Sequence, residues 1–167
     1  MRFKQIVIAL LAFACCSGEG FPHKTACSER EAFLAEGEAS SLKTWDAVYA
    51  SFQQFSQCDD ASISEGYSDS IVRLLSERWS QTQRLEELTQ RDREFETFVV
   101  RHVDELMSPQ QAVEIAQNAE KHCPEGAQAL CEHILKRIRE TPCPPCADIL
   151  KRRGETPWPG STPTTTR

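Results

Sequence analysis

Cys143-Pro144-Pro145-Cys146 is the sharpest chemical spacing in the chain, a CxxC pair ahead of a short helical pattern from Ala147 to Arg153. A helix start favours the thiolate that disulfide exchange requires. Dithiol oxidoreductases place such a pair after a strand of a βαβ unit, however, and no strand pattern precedes this one. A staple pinning a short C-terminal helix is the competing role. Cys123, Cys131, Cys143 and Cys146 together could offer four thiolates to zinc, but C-x7-C-x11-C-x2-C is not a common finger spacing. No metal and no other cofactor is therefore assigned.

The remaining polar candidates are weaker. Asp59, Asp60, Glu65 and Asp69 form an acidic run, CDDASISEGYSDS, that lacks the alternating oxygen ligands of a calcium loop. Ser62-Ile63-Ser64-Glu65 reads as a capping box, with Asp59 and Asp60 favouring the positive helix start. Together with Tyr67, these four acids make the candidate binding patch. His102 falls on an apolar stripe with Phe98, Val99 and Leu106, where a hydrogen-bonded core histidine is a simpler reading than a general base. No catalytic residue is assigned.

The cysteines also define a compartment. Arg2 and Lys4 precede an apolar run from Ile6 to Phe13, and Ala12-Phe13-Ala14 follows the small-x-small pattern of signal peptidase cleavage. Residues 1–18 are thus expected to be a signal peptide. Cys15, preceded by Ala14, is the candidate lipidation site, so soluble export and a lipid anchor both stay open. The apolar run is far shorter than the ~20 residues that span a bilayer. Beyond the leader lie Cys27, Cys58, Cys123, Cys131, Cys143 and Cys146, an even set suited to disulfides in an exported protein.

Charge narrows the partners. The chain carries a net charge of −6, with ten Lys/Arg against twenty-two Asp/Glu in residues 15–133 and seven against three in residues 134–167. An acidic body repels phosphate backbones, so nucleic acid is not expected, and a protein with a basic surface suits it better.

The elements that must position these groups are helices. Leu42, Trp45, Val48, Tyr49, Phe52 and Phe55 step by three and four, as do Ile63, Tyr67, Ile71, Leu74, Leu75 and Trp79, and again Phe95, Phe98, Val99, His102, Val103 and Leu106. Ser108-Pro109-Gln110-Gln111 predicts a capped helix that ends before Pro124 and Gly126, and another runs from Ala127 through Ile138. Strand alternation is absent. The expectation is an all-α, compact bundle of about six to seven amphipathic helices stapled by disulfides. Its domain spans 27–140, a CPPC segment follows at 141–154, and the Pro/Thr-rich stretch at 155–167 should be disordered. In an antiparallel hairpin of residues 28–39 and 42–57, Cys27 and Cys58 fall side by side. Closing that loop is worth about 3 kcal/mol. Cys123 and Cys131 flank a Pro-Glu-Gly corner and form a second pair, leaving Cys143 for Cys146.

The stretch from Trp45 through Cys131, in particular TWDAVYASFQQFSQCDDASISEGYSDSIVRLLSERW and FETFVVRHVDEL, resembles a group of small exported bacterial proteins without an assigned activity. The CDD-x-x-I-x-E-G-Y-S-D-S run from Cys58 to Ser70 is its most distinctive part. The resemblance implies an all-helical exported domain and supplies no catalytic residue. In general plan the chain is also similar to periplasmic immunity proteins that neutralise cell-wall-attacking effectors. A periplasmic or envelope protein-binding module, in the form of an immunity or inhibitor protein, is the leading expectation. A CPPC thiol–disulfide protein and a passive envelope protein are the alternatives.

Overall fold

The computed structural model describes residues 26–104 and 106–141. Cys15, Cys143, Cys146 and the expected leader, CPPC segment and tail lie outside the described residues. Among the described residues there are seven α-helices, two short 3-10 turns and no strand. The helices are α1 (Glu29–Ala39), α2 (Trp45–Phe55), α3 (Ala61–Glu77), α4 (Thr82–Arg91), α5 (Arg93–Arg101), α6 (Pro109–Lys121) and α7 (Gln128–Glu140). No helix among them is long and apolar enough to cross a membrane.

Local chemistry starts most of these helices. Ser28 and Glu31 close a capping box on α1, Ser108 and Gln111 do the same on α6 with Pro109 inside the first turn, and Asp92 accepts from the Glu94 and Phe95 amides of α5. The start of α3 departs from the capping box expected at Ser62. Asp60 is the N-cap, and Ser62 Oγ instead donates to Glu36 Oε1 of α1 at 2.9 Å. Ala61 has φ 45°, a left-handed conformation that a Cβ disfavours. The strain accompanies the sharp turn by which the chain leaves Asp59 and enters α3.

α3 is the axis of the bundle, packing against α1, α2 and α6, while α7 packs on both α5 and α6. Its polar face captures the α1–α2 hairpin. Ser70 Oγ donates to the Ala39 carbonyl at 2.6 Å and accepts from the Leu42 amide at 3.2 Å, and Arg73 donates to the Ser40 and Leu42 carbonyls. These bonds satisfy backbone groups that the end of α1 leaves open. The apolar stripes meet in one core containing Trp45, Phe52, Tyr67, Leu75, Phe95, Phe98, Ile115 and Ile134. Phe98 is its hub, with ring centroids of Phe52, Tyr67 and His102 at 4.9, 5.0 and 4.4 Å. The third stripe stops short of its expected end: α5 finishes at Arg101, and Leu106 is left exposed.

Gly66 makes the α1–α3 contact close. A Cβ there would lie 2.9 Å from the Ala39 Cβ and 3.1 Å from the Ser40 nitrogen, both held by the hairpin. Gly66→Ala gains about 1 kcal/mol of helix propensity but overpacks a rigid contact, for a cost of about 1–3 kcal/mol. A net loss of stability is expected on urea unfolding, and a more stable Gly66→Ala protein would show that α1 yields readily.

Both bridges within reach join the pairs expected from helix geometry. Cys27 is bonded to Cys58 across 31 positions, tying the start of α1 to the turn after α2, and Cys123 is bonded to Cys131 across the α6–α7 corner. Gly126, at φ 87°, turns that corner in a conformation suited to glycine. Bonded to each other, Cys123 and Cys131 are withdrawn from the four-thiolate arrangement weighed above.

Candidate functional site

Two features stand out, one along α5 and one at its C-terminal end. The first is an open groove of about 700 Å3 between α5 and α7. Arg93, Glu96, Thr97, Val100 and Arg101 reach it from α5, and His133, Lys136, Arg137 and Glu140 reach it from α7. Both sets follow the three-and-four spacing of a single helix face, so one row of side chains from each helix lines the groove. Glu96 lies at the base with a nearly buried carboxylate, accepting from His133 Nδ1 at 2.6 Å and Arg93 Nη1 at 2.5 Å. Burial alone would raise its affinity for a proton, yet the hydrogen bonds from His133 and Arg93 prevail and hold it below the ordinary glutamate range. Arg137 Nε donates to the Val103 carbonyl at 3.0 Å, and Lys136 Nζ lies 3.9 Å from Glu140 Oε1.

The second feature is the buried network around His102, whose side chain is 1 % exposed. The C-terminal end of α5 and the start of α3 converge there. His102 Nδ1 lies 2.7 Å from the Phe98 carbonyl, which can only accept, so Nδ1 carries a proton. Nε2 faces Asp59 Oδ1 at 3.1 Å and Ser64 Oγ at 3.3 Å. The Asp59 carboxylate is itself 2 % exposed and takes an ion pair from Arg101. Burial is the largest influence on the imidazole and lowers it to about 4, against the Phe98 carbonyl, which favours the charged ring. Arg101 also disfavours the charge, and Asp104, which accepts from Ser68 at 2.7 Å, favours it. Burial favours the neutral ring, in which Nε2 accepts from Ser64, while the Asp59 carboxylate favours the charged ring, in which Nε2 donates to it.

Serine, histidine and aspartate side by side invite comparison with a hydrolytic triad, but the connectivity differs. A triad places the carboxylate on one ring nitrogen and the serine on the other. Here Asp59 and Ser64 share Nε2, while Nδ1 is spent on a backbone carbonyl. That arrangement anchors a histidine in the core and ties α5 to α3.

The expected binding patch is divided by the fold. Tyr67 is fully buried, its hydroxyl 2.8 Å from Ser51 Oγ, and the Asp59 carboxylate turns inward to His102. Asp60, Glu65 and Asp69 remain exposed, with Asp69 paired to Arg73 at 2.6 Å. Tyr67 and Asp59 therefore leave the patch: one aromatic ring and one carboxylate in that run are worth more to the core than to the surface. Ser64 and the groove were not singled out in the sequence. The groove's one linear trace is the charge pattern of Arg93, Glu96 and Arg101 at helical spacing, which looks like an ordinary solvated face. Comparison with protein-family models, curated proteins and solved structures found no match.

Proposed function

We propose that this chain is an exported helical protein-binding module that receives its partner in the α5/α7 groove. The observation behind this reading is the groove itself, an open concavity with charged walls on a bundle cross-linked by two disulfides. A rigid concave site loses little conformational freedom on binding, which favours affinity. Disulfides are compatible with export, and the periplasm or envelope is the proposed location. An immunity or inhibitor role is the specific form of the proposal, in keeping with the similarity of general plan to periplasmic immunity proteins. Exposed Asp60, Glu65 and Asp69 support a second contact, with a basic partner surface.

The test is capture of partners by the tagged, exported protein at low and high salt, with Lys136→Glu and Glu65→Lys beside the unaltered chain. A partner held at low salt, released at high salt and lost on Lys136→Glu is the expected result. No partner at either salt would defeat the binding reading, and loss only on Glu65→Lys would move the site to the acidic surface. Insulin reduction separates the redox alternative. Turnover that disappears in Cys143→Ser would make the CPPC pair the functional site.

A further inference from the structure

We propose that the groove takes an acidic polypeptide segment, one of whose carboxylates is received by Arg137; this rests on the binding-module reading above. Charge is the first indication. Four lysine and arginine side chains line the groove, Arg93, Arg101, Lys136 and Arg137, against two carboxylates, Glu96 and Glu140. Glu96 is taken by Arg93 and His133, Glu140 lies beside Lys136, and Arg101 reaches away to Asp59. Arg137 remains.

Its position is unusual for this chain. Three arginines among the described residues are half-buried: Arg73, Arg84 and Arg137. Arg73 pairs with Asp69 at 2.6 Å, and Arg84 pairs with Asp46 and Glu87, each at 2.6 Å. Arg137 meets no carboxylate among the described residues, and its Nε bond to Val103 O leaves both Nη groups available. The Nε bond to Val103 fixes the guanidinium in place, and the planar fork of its remaining donors matches a carboxylate in two parallel hydrogen bonds. In a chain of net charge −6, a cationic groove is a local reversal of sign, so it selects against the body's own character.

The shape indicates a chain segment. From Arg93 to Arg101 the α5 wall runs about 12 Å, the length of about four extended residues. Val100 and the Thr97 methyl give that wall an apolar stretch between the charges at its ends, suited to an aliphatic side chain between two acidic ones.

The probe is a fluorescein-labelled eight-residue peptide of Asp, Glu and Leu, titrated with the full oxidised chain, beside the same peptide with Lys for each acid. Saturable binding of the acidic peptide is expected, at least ten-fold tighter than the lysine peptide and weakened at least ten-fold by Arg137→Gln. Lys136 is 75 % exposed, so Lys136→Glu tests the groove without touching the core, and it should weaken binding by a similar factor. Arg30→Glu, on exposed α1, should leave it within two-fold. Absence of saturable binding, or an affinity unmoved by both groove variants, overturns the proposal. So does a concentration-dependent dimer that Lys136→Glu dissolves, which would give the groove to a second copy. A natural partner captured equally by unaltered and Lys136→Glu protein would overturn the groove assignment while leaving the binding-module reading standing.

Discussion

Cys27→Ala combined with Cys58→Ala is expected to cost about 3–4 kcal/mol, because the bridge closes a loop of 31 positions and removes that freedom from the unfolded chain. Urea unfolding should show it as a midpoint lowered by about 2 M, given the usual denaturant sensitivity of a domain this size. The Cys123–Cys131 bridge closes a loop of only 8 positions, so replacing both cysteines by alanine should cost about 2–3 kcal/mol. The order matters more than either figure. The longer bridge also fixes Cys58 directly before Asp59, so the double variant should loosen the His102 network, visible as faster amide exchange at the end of α5. A larger loss from Cys123 and Cys131 than from Cys27 and Cys58 would refute the loop-length account.

The second large effect is the dependence of stability on the buried network. Asp59→Ala should cost about 3 kcal/mol, since it removes a buried carboxylate that partners Arg101 and faces His102. Asp60→Ala, one residue away but exposed at the N-cap, should cost about 1 kcal/mol. The pH dependence follows from the lowered imidazole. With a folded-state value of about 4 against an ordinary 6.5, the unfolded chain binds the proton first. Stability is then fully present above pH 6.5 and falls as the pH drops toward 4, by about 3 kcal/mol in all. Carboxylates such as Glu96 add their own loss near the bottom of that range, so the informative quantity is the difference between unaltered protein and His102→Gln. That difference should shrink on acidification from pH 7 to pH 4.5. The close approach of Asp59 Oδ1 to Nε2 pulls toward a charged ring, and a difference that instead grows on acidification would show that a buried imidazolium–carboxylate pair has won.

How far the fold was legible depended on the range of the interaction concerned. The stripes through Trp45 and Phe52, through Tyr67 and Leu75, and through Phe95 and Phe98 mark helices by their spacing, and these six residues lie in the core, though Leu106 at the end of the third does not. The Ser108 cap and the Gly126 corner are equally local, requiring only a few neighbouring residues. At the start of α3 the local rule failed. Ser62 and Glu65 satisfy the capping-box pattern, but Asp60 caps the helix instead, two residues after the bridged Cys58 and one after the inward-turned Asp59. The candidate patch divided for the same reason, since nothing in CDDASISEGYSDS distinguishes a carboxylate bound for His102, 43 positions away, from one bound for water.

Sequence alone determined the helical class, the Gly126 corner and both bridges between described cysteines, because each follows from periodicity or from a turn that brings its ends together. Only the tertiary structure decided which polar groups are withdrawn from solvent, which half-buried arginine meets no carboxylate among the described residues, and where a groove opens. Those depend on how helices distant in sequence pack side by side, and desolvation and charge pairing act on spatial neighbours whatever their separation along the chain.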